Sequence, residues 1–282
     1  MLGLVAVSLL WGCSSVLIKI ALPGVPPDTV AFARVALGAA VLLPALLLRG
    51  HRLPRARDLG HLTVLALTLA VVPFTLTAWG EQRVTSELTA VLHATIPLCT
   101  AAWAALLLGQ KLRWSHAAAL AAGLLGIAVL SGFTTGCLDA VSWTGALAVL
   151  ASSASYGLGY TYLRRHLAHL APLQVAAGVQ LTAAVLLLPL AGSELATTRL
   201  DLTPARLASL VLLGTVCTGA AQLLNYRNIE RLGPTTASLS TYLIPLVGVT
   251  ASIAELAEPL TPRLAAGTAL ILTAITITRH RP

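Results

Sequence analysis

Two cations lie within long apolar stretches of the sequence, where a charged side chain is costly and is functional by default. Arg34 is well inside such a stretch, and its planar guanidinium could bind a carboxylate through two parallel hydrogen bonds. Lys19 lies nearer the end of another stretch, so its ammonium could reach the interface or add a second cation for an anionic or zwitterionic solute. For Arg34 the alternative role is a structural tether to a neighbouring carbonyl or carboxylate.

Histidine occurs well inside an apolar stretch only at His93. Its imidazole could carry a proton, or it could stay neutral and hydrogen-bond to a carbonyl of a neighbouring helix. No second histidine or carboxylate stands at metal-ligand spacing beside it, so we predict no metal.

The sequence also has no HExxH, GxSxG or phosphate-binding loop. We therefore expect neither an enzyme nor a protein driven directly by ATP, and no cofactor.

The other candidates are aromatic, amide and hydroxyl side chains within apolar stretches, where packing is the alternative role. Trp79 lies near the end of its stretch, a position that aromatic residues also favour at membrane interfaces. In addition to Lys19, Arg34 and His93, we predict a solute cavity lined by Trp11, Ser15, Trp79, Pro97, Tyr156, Tyr160, Gln180, Gln222, Asn225, Thr241, Tyr242 and Pro245.

These residues must be positioned by helices that cross a bilayer. Hydrophobic residues make up 57% of the 282 residues and charged residues only 10%, whereas soluble domains average about 25% charged. The sequence therefore predicts an all-α integral membrane protein. Ten apolar runs are long enough to span, at about 2–21, 29–48, 60–79, 86–108, 116–133, 142–162, 172–191, 206–226, 236–255 and 263–279.

One pattern centred on Ile-Pro-Leu occurs twice, 148 residues apart, and places Pro97 and Pro245 inside corresponding apolar runs. Proline cannot donate to the carbonyl four residues back. The carbonyls of His93 and Thr241 therefore lose their intrahelical donors. Interrupted helices at corresponding positions of two halves indicate a transporter site.

The repeat also predicts the organisation of the whole chain. Five spans in each half is an odd number, so the halves must insert in opposite orientations, as two inverted five-helix repeats over 1–136 and 137–282. Loops on one side, together with the C-terminus, hold twelve lysines and arginines, and loops on the other side hold three. Both termini are therefore predicted to be cytoplasmic. The net charge of +8 then reflects topology rather than nucleic-acid binding.

The segment WGCSSVLIKIALPGVPPDTVAFAR resembles the opening of EamA-type members of the drug/metabolite transporter superfamily, with Trp11-Gly12, Lys19 and Arg34 at the recurring positions. The proline-centred helices also match, although LLLGQKLRW has Gln110 where the family usually has glutamate, and AELAEPLTP retains the acid at Glu258. The resemblance extends over essentially the whole chain. It implies ten helices in two inverted repeats, alternating access, and a central cavity lined mainly by helices 1–4 and 6–9.

The residues and the resemblance favour a secondary transporter of small organic solutes, in particular an exporter of amino acids or related metabolites in a bacterial inner (plasma) membrane. Lys19 and Arg34 favour carboxylate-bearing or neutral solutes over lipophilic cations. An exchanger of sugar phosphates or nucleotide sugars is the alternative, and a membrane-embedded enzyme is a more distant one. We expect the partners to be a small-molecule substrate and the lipid bilayer, not nucleic acid, and the protein to be a monomer or homodimer.

The predicted topology can be tested with a reporter that is active only in the cytoplasm. Fused after Pro282, the reporter should be active, and inserted in the loop around Cys137 it should be silent. Reversed signals would overturn the orientation while leaving the inverted repeat intact.

Overall fold

The structure is a computed structural model that describes residues 2–93, 95–109 and 140–232, with three single positions, Pro262, Ala266 and Ala269. All elements in these residues are helices. The predicted spans at 116–133, 236–255 and 263–279 lie outside the continuously described residues. The second copy of the repeat lies there too, with the candidate site residues Thr241, Tyr242 and Pro245.

Seven of the ten predicted spans fall on described helices. In chain order the α-helices are α1 (Leu2–Gly12), α2 (Ser14–Ala21), α3 (Pro27–Leu48), α4 (Leu59–Ala66), α5 (Val72–Glu81), α6 (Ser86–His93), α7 (Ile96–Leu108), α8 (Ala140–His166), α9 (Pro172–Thr197), α10 (Pro204–Val211) and α11 (Ala221–Leu232). A short 3-10 turn, Ala56–Asp58, precedes α4. Four stretches are long and apolar enough to cross a membrane: Pro27–Leu48, Ala56–Glu81, Pro172–Thr197 and Pro204–Asn225.

Two of these stretches change to π-helical geometry in the middle. The first π segment, Leu67–Val71, joins α4 to α5. Pro73 is the second residue after it and has no N–H to continue the α-helical ladder, which accounts for the irregularity. The second π segment, Leu212–Ala220, joins α10 to α11 and contains no proline. π-Helical turns are rare in proteins as a whole, and where they do occur they often lie at functional sites.

The helix at the first copy of the repeat is interrupted, as predicted, but the break comes before Pro97 and not at a proline inside one continuous helix. α6 ends at His93 and α7 begins at Ile96, so Pro97 lies in the first turn of α7, where its missing N–H breaks no ladder bond. At the interruption, the backbone N–H and the hydroxyl of Thr95 both donate to the Leu92 carbonyl, at 3.1 and 2.6 Å.

Helix α8 packs against the α4–α5 stretch, with its first π segment, and against the interrupted α6–α7 helix. It supplies hydrogen-bond donors to both. Glycines allow the close approach: a β-carbon at Gly157 would lie 2.7 Å from the backbone of Cys99 and Thr100 on α7, and one at Gly159 would collide with Leu69 in the first π segment. Three serine hydroxyls on α8 then reach carbonyls across the interface. Ser155 donates to Thr68 at 2.9 Å and Ser152 to Pro73 at 3.1 Å. Ser153 shares its proton between Leu92 at 3.3 Å and Val149 of its own helix at 3.2 Å.

Helix α3 packs closely on the second π segment. A β-carbon at Gly38 would lie 3.0 Å from Cγ2 of Thr218, so the glycine favours the close approach of the two backbones. The contact places Thr218 beside Arg34, one turn earlier on α3. On another side α3 packs on α9 through a buried apolar cluster that includes Leu42 and Leu173.

One end of the helical bundle is held by carboxylate and carbonyl contacts, and we call it the capped end. The Glu194 carboxylate on α9 accepts from the N–H and the hydroxyl of Thr29, at 2.8 and 2.9 Å, and from the N–H of Asp28 at 3.3 Å. It therefore caps the N-terminus of α3 from another helix, a favourable place for negative charge. At the same end Lys19 Nζ donates to the carbonyls of Glu81 and Val84, at 2.6 and 2.8 Å.

The opposite end, which we call the histidine end, is held mainly by rings. His61 Nδ1 lies 2.7 Å from the Tyr162 hydroxyl, and the His61 ring stacks on that of His166 with 5.0 Å between centroids. Beside them, the Gln174 amide donates to the Arg52 carbonyl at 2.7 Å. At both ends, then, residues from the first half of the chain contact residues from the second half.

The close packing of α7 on α8 predicts contrasting effects of two glycine substitutions. Gly157→Ala places its β-carbon against backbone atoms that cannot rotate away, so the helices must separate. We expect a loss of roughly 1–3 kcal/mol, the usual cost of overpacking. Gly192→Ala, inside α9 with no atom within 4 Å of its β-carbon, should leave stability unchanged or raise it by about 0.5–1 kcal/mol. Melting temperatures of the purified proteins in detergent compare the two, and equal effects would contradict the close packing.

Candidate functional site

The helices enclose a cavity of about 90 Å³, which we call the main cavity. Its walls come from α1, α2, α3, α5, α6, α7, α8, α11 and the second π segment. They mix one cation with aromatic, hydroxyl and amide groups. The lining residues are Trp11, Ser14, Ser15, Ile18, Arg34, Phe74, Thr77, Ala90, His93, Ile96, Tyr156, Tyr160, Cys217, Thr218 and Gln222.

Arg34 is the one charged side chain among the described residues that line the main cavity. It is only 9% exposed, and its guanidinium lies over the Phe74 ring, with Cζ 4.0 Å from the ring centroid. Its Nε donates to the Thr218 hydroxyl at 2.8 Å, and that hydroxyl donates in turn to the Leu213 carbonyl. Neither terminal nitrogen hydrogen-bonds to another residue in the described part of the chain.

No carboxylate is found among the described residues that line the main cavity. Outside the cavity wall, the fully buried carboxyl of Glu81, at the capped end of α5, interacts electrostatically with the guanidinium. The guanidinium is thus fixed at Nε and over its face, while its forked terminal edge is directed to no fixed acceptor in the described cavity wall. Such an edge is a ready partner for a carboxylate that enters from outside.

His93 belongs to a chain of hydrogen bonds whose direction is determined by counting protons. The single hydroxyl proton of Ser152 goes to the Pro73 carbonyl, so Ser152 Oγ must accept from Thr77 at 3.0 Å. Thr77 Oγ1 in turn must accept from His93 Nε2 at 3.2 Å. His93 therefore carries a proton on Nε2, and in the neutral ring Nδ1 keeps its lone pair.

An aromatic wall faces Arg34 across the cavity. The rings of Tyr156 and Tyr160, one turn apart on α8, stack with 6.3 Å between centroids and an interplanar angle of 18°. Tyr156 also meets Phe74 at 6.4 Å and the edge of His93 at 6.2 Å. These faces offer an apolar surface to the organic part of a solute.

A second, smaller cavity of about 60 Å³, the side cavity, lies towards the histidine end. Its lining residues are Leu69, Tyr156, Tyr160, Leu163, Ala176, Val179, Gln180, Gln222 and Asn225. Tyr156, Tyr160 and Gln222 line both cavities, so the two adjoin. Gln180 is only 2% exposed, and its amide oxygen has no hydrogen-bond partner among the described residues.

The structure brings most of the described candidate residues together. Trp11, Ser15, Arg34, His93, Tyr156, Tyr160 and Gln222 line the main cavity, and Gln180 and Asn225 line the side cavity. Pro97 begins α7 next to Ile96, a lining residue.

Lys19 and Trp79 line neither cavity. The ammonium of Lys19 is held by two carbonyls at the capped end. The Trp79 ring lies under the Arg83 guanidinium, with Cζ 3.5 Å from the ring centroid. Both side chains are therefore engaged at the capped end of the bundle.

Sequence reasoning missed Thr218 and Phe74, which hold the guanidinium. Thr218 precedes Gln222 by four residues, and such spacing puts two polar groups on one helical face, so this signal could have found it. Phe74 has no comparable signal because it is one apolar residue among many. Among the described residues, no group of three or more His, Cys, Asp or Glu side chains is arranged to hold a metal ion.

Comparison with known proteins agrees with this architecture. The sequence matches the EamA-like transporter family in two segments, residues 1–132 and 143–279. The chain belongs to the EamA-like transporter family. It is therefore a multi-pass membrane protein, as its composition predicts.

Relatives of this EamA-like chain are described as transporters. It is 32% identical to the uncharacterized inner membrane transporter YedA of Escherichia coli K12, over 88% of this chain and 79% of YedA. It is 24% identical to the uncharacterized transporter YoaV of Bacillus subtilis, over 96% and 93% of the two chains. It is 27% identical to a probable terminal-alkyne amino-acid exporter of Streptantibioticus cattleyicolor, over 99% and 93%.

A solved crystal structure also resembles this EamA-like chain, with a TM-score of 0.70 and 22% sequence identity. The similarity covers 98% of this chain and 95% of the other. At this identity the similarity shows the fold alone.

The position of the Arg34 side chain should depend on Thr218. Thr218→Val keeps the shape of the residue but removes the acceptor of Arg34 Nε, leaving a buried charge with one hydrogen bond fewer. We expect a loss of about 1.5–3 kcal/mol, the range for hydrogen bonds to charged groups. Thr215→Val is the matched control, since the Thr215 hydroxyl bonds only to the Val211 carbonyl one turn back. Equal melting temperatures for the two variants would contradict the role of Thr218.

Proposed function

We propose that this protein is a secondary transporter that exports small carboxylate-bearing solutes, amino acids or related metabolites, through the main cavity. The observation that carries the proposal is the free terminal edge of the Arg34 guanidinium, directed to no acceptor among the described residues and buried in a transporter-family chain. A buried cation of this kind is expensive, and a solute carboxylate would neutralise it.

The geometry favours a carboxylate over a phosphate. Arg34 is held at Nε and over the Phe74 ring, so it is already oriented to form two parallel hydrogen bonds with a planar carboxylate. Phosphorylated solutes carry more negative charge and would be better matched by several cations. The other cation expected in the cavity, Lys19, is engaged with carbonyls at the capped end.

The remaining cavity wall suits the organic part of an amino acid. The stacked Tyr156 and Tyr160 rings supply an apolar surface, and His93 and Gln222 supply hydrogen-bonding groups. One relative is described as a probable terminal-alkyne amino-acid exporter, which agrees with a solute that joins a carboxylate to an apolar side chain.

Alternating access would open the two ends in turn. In the structure described here, contacts between the two halves of the chain hold both ends: Glu194 with Thr29 at the capped end, and His61 with Tyr162 at the histidine end. The contacts at each end are few enough to break and reform while those at the other end keep that end closed. The interrupted α6–α7 helix and the two π segments are places where half-helices could tilt.

Two observations support an arrangement as two inverted five-helix repeats, 1–136 and 137–282. The family match falls into two segments of similar length. In addition, the 148-residue offset of the repeat carries the first π segment, Leu67–Val71, onto 215–219, which lies within the second π segment, Leu212–Ala220. The same irregularity thus occurs at corresponding positions of both halves.

The proposed location is the inner membrane, with both termini in the cytoplasm. The description of one relative as an inner membrane transporter supports the location. The orientation rests on the asymmetry of lysines and arginines between loops. In this orientation the capped end faces outwards and the histidine end faces the cytoplasm.

Transport into sealed vesicles tests the proposal directly. Purified protein in proteoliposomes should move radiolabelled amino acids, and Arg34→Lys should lower the rate at least about tenfold, since the ammonium cannot form the planar fork and losing a charged hydrogen bond costs about 1.5 kcal/mol or more. Arg49→Lys, an exposed loop position, is the matched control.

Rates must be expressed per folded molecule, with the folded fraction taken from size-exclusion chromatography. Undiminished transport of all carboxylate-bearing solutes by a folded Arg34→Ala protein would eliminate Arg34 as the substrate contact.

A further inference from the structure

We propose that the side cavity is a second solute subsite that binds an uncharged hydrogen-bonding group, such as a carboxamide or hydroxyl. The preferred solutes would then carry a carboxylate at one end and such a group at the other. This inference rests on the proposed function, because it places the carboxylate at Arg34 and assigns the far end of the same solute.

The first observation is the amide of Gln180. The residue is 2% exposed in the middle of α9, and its amide oxygen is buried without a hydrogen-bond partner among the described residues. Leaving a buried amide unpaired destabilises a protein. An apolar residue of the same size would avoid this penalty, and we assign the amide oxygen to a hydrogen-bond donor on the solute.

The second observation is the chemistry of the surrounding wall. Gln180, Gln222 and Asn225 bring three carboxamides to one small cavity, from α9 and α11. No charged side chain is present among its described lining residues. Carboxamides both donate and accept, whereas an ionised group would enter this cavity without a counter-charge and at high cost. The side cavity therefore suits a neutral polar group and disfavours a second carboxylate or ammonium.

The third observation is continuity with the main cavity. Tyr156, Tyr160 and Gln222 line both cavities, so the two adjoin, and we place one solute across them. The Tyr156 and Tyr160 rings would flank its methylene chain, with Arg34 in the main cavity and Gln180 in the side cavity. L-Glutamine has this arrangement of groups. L-Methionine has an unbranched side chain of similar length without a strong hydrogen-bonding group, and provides the matched comparison.

The test compares these two solutes in proteoliposomes. The wild-type protein should transport L-glutamine better than L-methionine. Gln180→Met should lower glutamine transport about tenfold, the effect of losing one well-placed hydrogen bond of about 1.4 kcal/mol, while methionine transport stays within about twofold. Gln180→Asn, which keeps the amide but shortens the side chain, should have an intermediate selectivity. Gln82→Met, at an exposed amide outside both cavities, should change neither rate.

Thermal stability gives a second readout that does not depend on transport. Gln180→Met should melt at a higher temperature than the wild type, because it removes an unpartnered buried amide. Added L-glutamine should raise the melting temperature of the wild type more than L-methionine does, and this difference should vanish in Gln180→Met.

These outcomes separate the inference from the proposed function. If both solutes lose transport equally in Gln180→Met, or if their ratio does not change, the subsite is wrong while export of amino acids stands. If the wild type transports neither solute but glutamine still stabilises it through Gln180, the subsite stands and amino-acid export fails. If glutamine neither moves nor stabilises the protein, the subsite is overturned.

Discussion

The structure depends on hydrogen bonds that α8 donates to backbone carbonyls of the irregular helices beside it, inside the bilayer. Hydrocarbon offers no donors, so each such carbonyl must find one within the protein. Helix α8 provides them through Ser152, Ser153 and Ser155, which reach the carbonyls of neighbouring helices at the first π segment, in the first turn of α5 and at the end of α6. The indole of Trp103 completes the interface in the reverse direction by donating to the Ala154 carbonyl at 2.9 Å. Gly157 and Gly159 allow the approach that makes these bonds short.

The same irregularities create the cavity. His93 at the end of α6 and Thr77 on α5 share a hydrogen-bond chain that runs through Ser152 of α8 and ends at the Pro73 carbonyl. On the opposite wall, the second π segment approaches α3 closely enough for Thr218 to hold Arg34. Deviations from regular helix geometry thus place the polar groups, and regular helices supply the apolar support around them.

Much of this site could be predicted from sequence, because intramembrane polar residues are few and costly. Arg34, His93 and Gln180 stand out among apolar neighbours, and Pro97 marks the interruption between α6 and α7. The hydrogen bonds of Lys19 could not be predicted, because its carbonyl partners lie 62 and 65 residues away in the sequence. Their positions depend on how the α5–α6 connection folds. The second π segment could not be predicted from the sequence either, because it contains no proline and its geometry depends on packing against α3.

The serine donors of α8 also have a consequence for biosynthesis. They follow the carbonyls they satisfy by 87, 79 and 61 residues for Ser155, Ser152 and Ser153. As the chain is made and inserted, these carbonyls therefore enter the bilayer before the serines of α8 have been translated. The Leu92 carbonyl already has the N–H and the hydroxyl of Thr95 as donors, but the Ser155 hydroxyl reaches the Thr68 carbonyl only after α8 has been made. This interface is therefore complete only when α8 has been inserted.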